Sequence, residues 1–204
     1  MNVYASSGPL HPTRSRRRIG IDIDEVLAPF CAPMFQRAGY KFPDGKWPYK
    51  YATALDISET DSQRMVYDFY KSRAFHELKP NPGAQSGMSF IMGLGYDIYI
   101  ITGRQDIVRE ETERWVDHYF PYMVNEVILT NSFTTNEISK ADVCRSLAIN
   151  VMVDDSFQVC AECENNHIKG INFVGDPMYP WCIDTPIAAR NWDEVSDIIA
   201  AFTN

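Results

Sequence analysis

A chain of 204 residues, 45% hydrophobic and 13% aromatic, is enough for one folded domain with room for an insertion, and it excludes a disordered polymer. Its net charge of −8 argues against coating nucleic acid, whose phosphates are held by clustered Lys and Arg, so no stable nucleic-acid partner is expected. No apolar run approaches the length of a membrane span, which points to a soluble, cytoplasmic protein.

The first 18 residues hold no acid, two prolines (Pro9 and Pro12) and the cluster Arg14, Arg16, Arg17 and Arg18. A disordered tail, a phosphate-contacting arm and an Arg-rich organelle transit peptide all fit that composition. The prolines weaken an amphipathic helix, so residues 1–18 are read as a disordered basic tail. Next comes Ile19-Gly20-Ile21-Asp22-Ile23-Asp24-Glu25-Val26-Leu27, where alternation and β-branching predict a first strand that ends in carboxylates. A solvated strand end, or a helix N-cap at Asp24, is the competing reading of that segment.

From about Ala28 to Pro80 the strand–helix rhythm stops, aromatics crowd in, and a helical pattern is visible only over 61–71. The rhythm then resumes. A helix is predicted from Pro82-Gly83-Ala84 to Leu94, a strand over 96–101, a helix over 106–119 and a strand over 126–129. A helix over 139–147, a strand over 150–153, a helix over 157–165, a strand over 170–174 and a helix over 193–202 follow. This order predicts an α/β fold, a Rossmann-like parallel sheet with helices on both faces and a small helical cap inserted after the first strand. The expected division is tail 1–18, core 19–27 and 81–204, and cap 28–80.

Five cysteines without a signal-peptide pattern read as reduced intracellular thiols. Cys160, Cys163 and His167 have a spacing that zinc could use, but with no second CxxC the ordinary reading is helix packing.

The chemistry is carried by residues that fall directly after strands. Asp22 and Asp24 follow the first strand and Thr102-Gly103-Arg104 the second. Lys140 opens the helix after the third, and Asp154-Asp155 follow the fourth. Strand ends of one parallel sheet converge on one edge, so these groups could face a single cavity. Together they are the parts for phosphoryl transfer: a carboxylate nucleophile, a second carboxylic acid, a hydroxyl and an ammonium for phosphate oxygens, and hard oxygen ligands for Mg²⁺. No GxxxxGK[ST] loop is present, which excludes that kind of nucleotide-triphosphate site.

In this order and at these strand ends, the four groups resemble the motifs of the haloacid dehalogenase-like phosphatase superfamily, over about Ile19 to Val174. Asp22-Ile23-Asp24-Glu25-Val26 matches the first motif, Thr102 the second, Lys140 the third and Asp154-Asp155 the fourth. Within it the chain is most similar to the 5'(3')-deoxyribonucleotidases and related nucleotidases. The stretches that carry this are 22–30, 75–84, Val127-Ile128-Leu129-Thr130 and Val153-Asp154-Asp155. Two departures stand out. Glu25 occupies a position where those enzymes usually carry Gly, and Thr102-Gly103-Arg104 replaces Thr-Ser-Pro.

The resemblance implies a Mg²⁺-dependent phosphomonoesterase acting through an aspartyl-phosphate, on a nucleoside monophosphate. Another small phosphomonoester such as a sugar phosphate is the alternative, and a non-catalytic nucleotide-binding protein a further one. Asp22 would be the nucleophile and Asp24 the acid/base. Thr102, Gly103 and Lys140 would bind phosphate, and Asp22, Asp24, Asp154 and Asp155 would surround the metal, with Asp155 favoured as a direct ligand. Phe30, Trp47 and Arg104 are the candidate substrate contacts. Phe35 and Tyr70 are further rings that could stack on a base, although an insertion of this size also needs aromatics for its own core. Trp47 sits near Pro43, Gly45 and Pro48, a loop context in which a large ring is expected to stay outside the core. A homodimer is admitted but not required.

Overall fold

The computed structural model describes residues 16–183, 185 and 187–203. The tail expected over 1–18 therefore lies largely outside the described residues, Arg14 included. Its last three arginines do not continue a tail. Arg16 pairs with Asp97 at 3.2 Å, Arg17 donates to the carbonyl of Phe202 at 2.8 Å, and Arg18 is already in the sheet.

The first strand, β1 (Arg18–Ile21), is short and buried, because Ile19 and Ile21 are wholly inside and Gly20 leaves room for its neighbours. A Cβ on Gly20 would lie 2.7 Å from Met152 Sδ and 2.9 Å from Ile101 Cδ1. Four helices follow: α1 (Cys31–Ala38), α2 (Tyr51–Leu55), α3 (Glu59–Tyr70) and α4 (Arg73–His76). Ser58 caps α3 and Ser72 caps α4, each accepting a backbone N–H of the first turn. Then come α5 (Ala84–Gly93), β2 (Asp97–Thr102), a 3₁₀ turn at Asp106–Val108, α6 (Arg109–Tyr119), β3 (Val124–Leu129) and α7 (Lys140–Ser146). The chain ends with β4 (Val151–Asp154), α8 (Phe157–Asn165), β5 (Lys169–Phe173), β6 (Ala188–Ala189) and α9 (Trp192–Thr203).

Among the described residues the strands form one six-stranded sheet in the order β3-β2-β1-β4-β5-β6, and every pairing is parallel. One face packs Ile19, Ile21, Ile98, Ile100, Val151 and Val153 against α5, α6 and α9. The other packs Ile101 and Met152 against Ala141 and Cys144 of α7 and Cys163 of α8. Helices on both faces make the central strands apolar between their end residues, as a buried parallel sheet requires, while the edge strand β3 exposes Asn125 and Glu126. The helical insertion has a third cluster, built from Phe30, Met34, Phe35, Trp47, Met65, Phe69, Tyr70 and Phe75.

Differences from the expected elements are local. β1 stops at Ile21, and Ile23 to Leu27 form a buried turn in which Ala28 N and Leu27 N both donate to Ile23 O. β6, α1, α2 and α4 were not expected, being short or, in β6, a two-residue edge with no β-branched run. All five cysteines are buried free thiols, and Cys160 and Cys163 pack inward from α8 while His167 is exposed beyond its end. Helix packing, not zinc, accounts for that spacing.

Candidate active site

The chain lays down β1, β2 and β3 in one direction and then returns to place β4 on the far side of β1. The reversal opens a crevice at the carboxyl ends of β1 and β4, where open α/β sheets bind ligands. Ile21 is paired with Val153, so the next residues along the two strands, Asp22 and Asp154, stand side by side. The backbone locks them there, Asp22 N donating to Val153 O at 3.0 Å.

All but one of the carboxylate oxygens of Asp22, Asp154 and Asp155 have a partner, and Asp22 and Asp154 share one of theirs. Asp22 Oδ1 accepts the N–H of Ile23 at 2.8 Å, and Oδ2 lies 2.8 Å from Lys140 Nζ. The same ammonium lies 2.7 Å from Asp154 Oδ2, while Asp154 Oδ1 accepts the N–H of Ser156. Lys140 reaches them because Ser139 caps α7 and makes Lys140 its first residue. Asp155 Oδ2 accepts the indole N–H of Trp181 at 2.8 Å, and its Oδ1 is buried with no partner.

Asp22, Asp154 and Asp155 each bring a carboxylate oxygen within 4.8 Å of the others. Burial pushes the Asp22 carboxyl up to about 7, with Lys140 pulling it down and Asp154 and Asp24 pushing it up. Burial, then Asp154 and Asp22, raise Asp155 well above the ordinary carboxylate range. Burial works against the charge on Lys140, yet the Asp154 and Asp22 carboxylates outweigh it and its pKa is raised. Three buried carboxylates, one ammonium and an orphaned oxygen suit a hard divalent cation bound through oxygen.

Asp24 lies just outside this cluster. Arg104 grips it with Nε at 3.2 and 3.1 Å from the two carboxylate oxygens and Nη2 at 2.7 Å from Oδ1. The guanidinium also donates to Thr112 and rests 4.8 Å from the centroid of the Phe75 ring. Arg104 was expected to reach substrate or to begin a helix; instead it is 2% exposed and fastened to Asp24, although it borders a cavity of about 860 Å³ with Lys79, Arg114 and Trp115. Thr102, wholly buried, ends β2 with its hydroxyl accepting the N–H of Arg104 at 3.4 Å. Gly103 faces Ser132, whose Oγ would lie 3.0 Å from an added Cβ.

The two aromatic expectations need correction. Phe30 is 3% exposed and is surrounded by Phe69, Tyr70 and Phe75, so it is core of the insertion rather than pocket lining. Trp47 is 8% exposed, packed on Phe35, Phe42 and Trp181; its loop is irregular but folds inward, because the ring has these neighbours to bury against. One edge still borders a cavity of about 610 Å³ that Lys46, Met178, Pro180 and Trp181 also line.

The sequence reading noted Glu25 only as a departure, with no role, and did not single out Trp181. Glu25 sits at φ 65°, the left-handed region that a Gly adopts freely, and its Oε1 accepts the N–H groups of Phe30 and Cys31 at the start of α1. Burial raises its pKa, and those two N–H groups draw it back down. Trp181 follows β5, in a run, Met178-Tyr179-Pro180-Trp181, whose aromatics at a strand's carboxyl end were the available signal.

The family described as "5' nucleotidase, deoxy (Pyrimidine), cytosolic type C protein" matches residues 16–203. Among solved structures, a Clostridium acetobutylicum protein described as a predicted phosphatase is similar over 91% of this chain and 99% of its own, at 15% identity and a TM-score of 0.66. A HAD family hydrolase from Deinococcus radiodurans R1, with bound phosphate and sodium, is similar over 92% of this chain and 97% of its own, at 10% identity and a TM-score of 0.63. A haloacid dehalogenase-like protein of unknown function from Agrobacterium tumefaciens covers 93% of this chain and 100% of its own, at 15% identity and a TM-score of 0.63. At these identities the likeness speaks for the fold. No curated protein matches the chain. Among the described residues no helix is long and apolar enough to cross a membrane.

Proposed function

The chain belongs to the cytosolic type C family of 5'(deoxy)nucleotidases, a family of phosphatases, and from that premise we propose that it is a Mg²⁺-dependent hydrolase of a nucleoside monophosphate that works through an aspartyl-phosphate on Asp22. The carrying observation is the placement of Asp22. It is nearly solvent-free at the switch point, held by Ile23 N–H and Lys140, beside the orphaned Oδ1 of Asp155.

In this reading Asp22, Asp154 and Asp155 hold the cation, with Asp155 Oδ1 as a direct ligand. When bound, the cation supplies charge neutralisation between these carboxylates and the phosphate. A carboxylate oxygen of Asp22 attacks phosphorus, forming an O–P bond while the bond to the nucleoside oxygen breaks. The leaving oxygen takes a proton from Asp24, which must bind that proton and loosen its ion pair with Arg104 before it can give it. A water then attacks phosphorus, Asp24 accepts its proton, and phosphate departs as the Asp22–phosphorus bond breaks. Lys140 and the Thr102 hydroxyl, with the Gly103 backbone beside it, receive the non-bridging oxygens.

The helical insertion serves as the cap that chooses the leaving group. Its ties to the edge support this: Phe75 lies under Arg104, and Trp47 and Tyr49 lie 4.8 and 5.5 Å from Trp181. A screen of phosphate release over deoxy- and ribonucleoside monophosphates and sugar phosphates, with an EDTA control, tests the reading. Metal-dependent release that is fastest on a nucleotide is expected. Release only from sugar phosphates would move the substrate class, and release that EDTA leaves untouched would defeat the metal assignment.

A further inference from the structure

We propose that Trp181 is a positioning residue for the cation site: its indole N–H occupies Oδ2 of Asp155 and thereby turns Oδ1 of the same carboxylate toward Asp22 and Asp154. The inference rests on the divalent-cation reading above and adds to it a residue from a loop that carries none of the four motifs.

A carboxylate that is free to rotate about its last bond presents either oxygen, or both, to an ion. Here one oxygen is taken at 2.8 Å by a donor that has no lone pair to offer in return. The other oxygen is buried and unpartnered. The indole can neither ligate a cation nor accept a proton, so its effect on Asp155 is purely orientational and favours one-oxygen ligation. Such outer contacts are known to fix the geometry of metal-binding side chains.

The donor itself is held on several sides. Tyr179 stacks on the Trp181 ring at 5.0 Å with 14° between planes, and Trp47 approaches to 4.8 Å from the insertion. The segment is also tied to both halves of the crevice. Tyr179 Oη donates to Glu25 O at 2.8 Å in the turn after β1, and Cys182 Sγ lies 3.2 Å from Asp155 O. Lys46 Nζ, from the insertion, donates to Cys182 O at 2.8 Å. A packing role alone would require the ring but not the N–H, and that difference is what the experiment isolates.

Trp181→Phe keeps an aromatic ring between Tyr179 and Trp47 and deletes the donor. Mg²⁺ binding to the substrate-free protein, measured by calorimetry, is expected to weaken about 10-fold or more. The unfolding temperature in EDTA should change little, and turnover should recover at raised Mg²⁺. Trp115→Phe, which loses an indole bond to the Leu78 carbonyl instead, is the control and should bind Mg²⁺ as the unaltered protein does. If Trp181→Phe binds Mg²⁺ with unchanged affinity, the positioning role is wrong. If the unaltered protein binds no divalent cation, the proposed function fails instead. Should the variant not fold, the unaltered protein decides: in an ¹⁵N spectrum, one indole N–H should shift with Mg²⁺ at the calorimetric affinity while the others stay. A spectrum in which no indole signal responds overturns the proposal.

Discussion

The carboxyl edge of the sheet and the helical insertion are both buried, yet they are held in place by different physics. At the edge, each ionisable group is buried against its own partner: Lys140 against Asp22 and Asp154, Arg104 against Asp24, Glu25 against the first N–H groups of α1. In the insertion, Phe30, Phe69 and Phe75 are buried against one another, with ring centroids 5.1 to 6.5 Å apart. Charged pairs are directional, and removing one member leaves the other stranded. Aromatic packing is shared among many contacts and tolerates rearrangement. The edge should therefore lose function before it loses its fold, and the insertion should lose its fold before the core loses its chemistry.

The largest expected effect sets the first half of that contrast. Asp22→Asn should lower turnover of a generic aryl phosphate by roughly a thousandfold or more, since an amide at this position is a far weaker nucleophile than a carboxylate. Its circular dichroism should match that of the unaltered protein, and substantial residual turnover would break the assignment. Phe69→Ala sets the second half. Removing this wholly enclosed ring should cost about 3–5 kcal/mol in chemical denaturation, while aryl-phosphate turnover per folded molecule stays within about threefold of normal. A large loss of turnover with little loss of stability would erase the distinction between the regions.

The pH dependence is smaller and bears on the edge alone. Asp22 in the folded protein titrates at about 7, above the ordinary 3.8, so the folded state binds this proton more tightly than the unfolded chain does. That contribution to stability is complete below about pH 4 and is lost as the pH rises through 7; Asp155 and Glu25 are shifted in the same direction. In EDTA the unfolding temperature should fall by a few degrees between about pH 5.5 and pH 8. Mg²⁺ should raise it more at the upper pH, because the cation competes with that proton. Equal Mg²⁺ stabilisation at both ends would show that these carboxylates do not meet the ion. The smallest effect is expected of Trp47→Phe, within about 1.5 kcal/mol in stability. If the insertion selects the leaving group there, nucleotide turnover should drop several-fold while aryl-phosphate turnover holds; equal changes would leave Trp47 as packing only.

What the sequence disclosed follows the same divide. Asp22, Lys140, Asp154 and Asp155 could be read because each falls directly after a strand or opens a helix, and a parallel sheet brings such positions together whatever fills its core. Arg104 was visible as a departure from Thr-Ser-Pro, but its partner lies 80 residues back, and only the adjacency of β1 to β2 brings the two together. Glu25 looked like a mismatch at a glycine position. The backbone there is left-handed, a conformation that glycine adopts freely, and the capping of α1 five residues on shows what the carboxylate does there. Trp47 was misjudged because Pro and Gly mark an irregular chain, not an exposed one. Trp181 had no periodicity to betray it, since its role depends on the path of a loop rather than on a repeat.

The anchoring of the first described residues has a practical side. Arg18 pairs with Asp97, the opening residue of β2, and Arg16 and Arg17 are fastened to Asp97 and Phe202. These contacts lie at the amino ends of the strands, roughly 13 Å of strand away from the carboxylates at the other edge. A label, a surface linkage or a fused reporter joined ahead of Arg16 would set out from the rear of the sheet and leave the approach to Asp22 clear. Immobilised through that end, the protein could be assayed with its catalytic edge facing the solution.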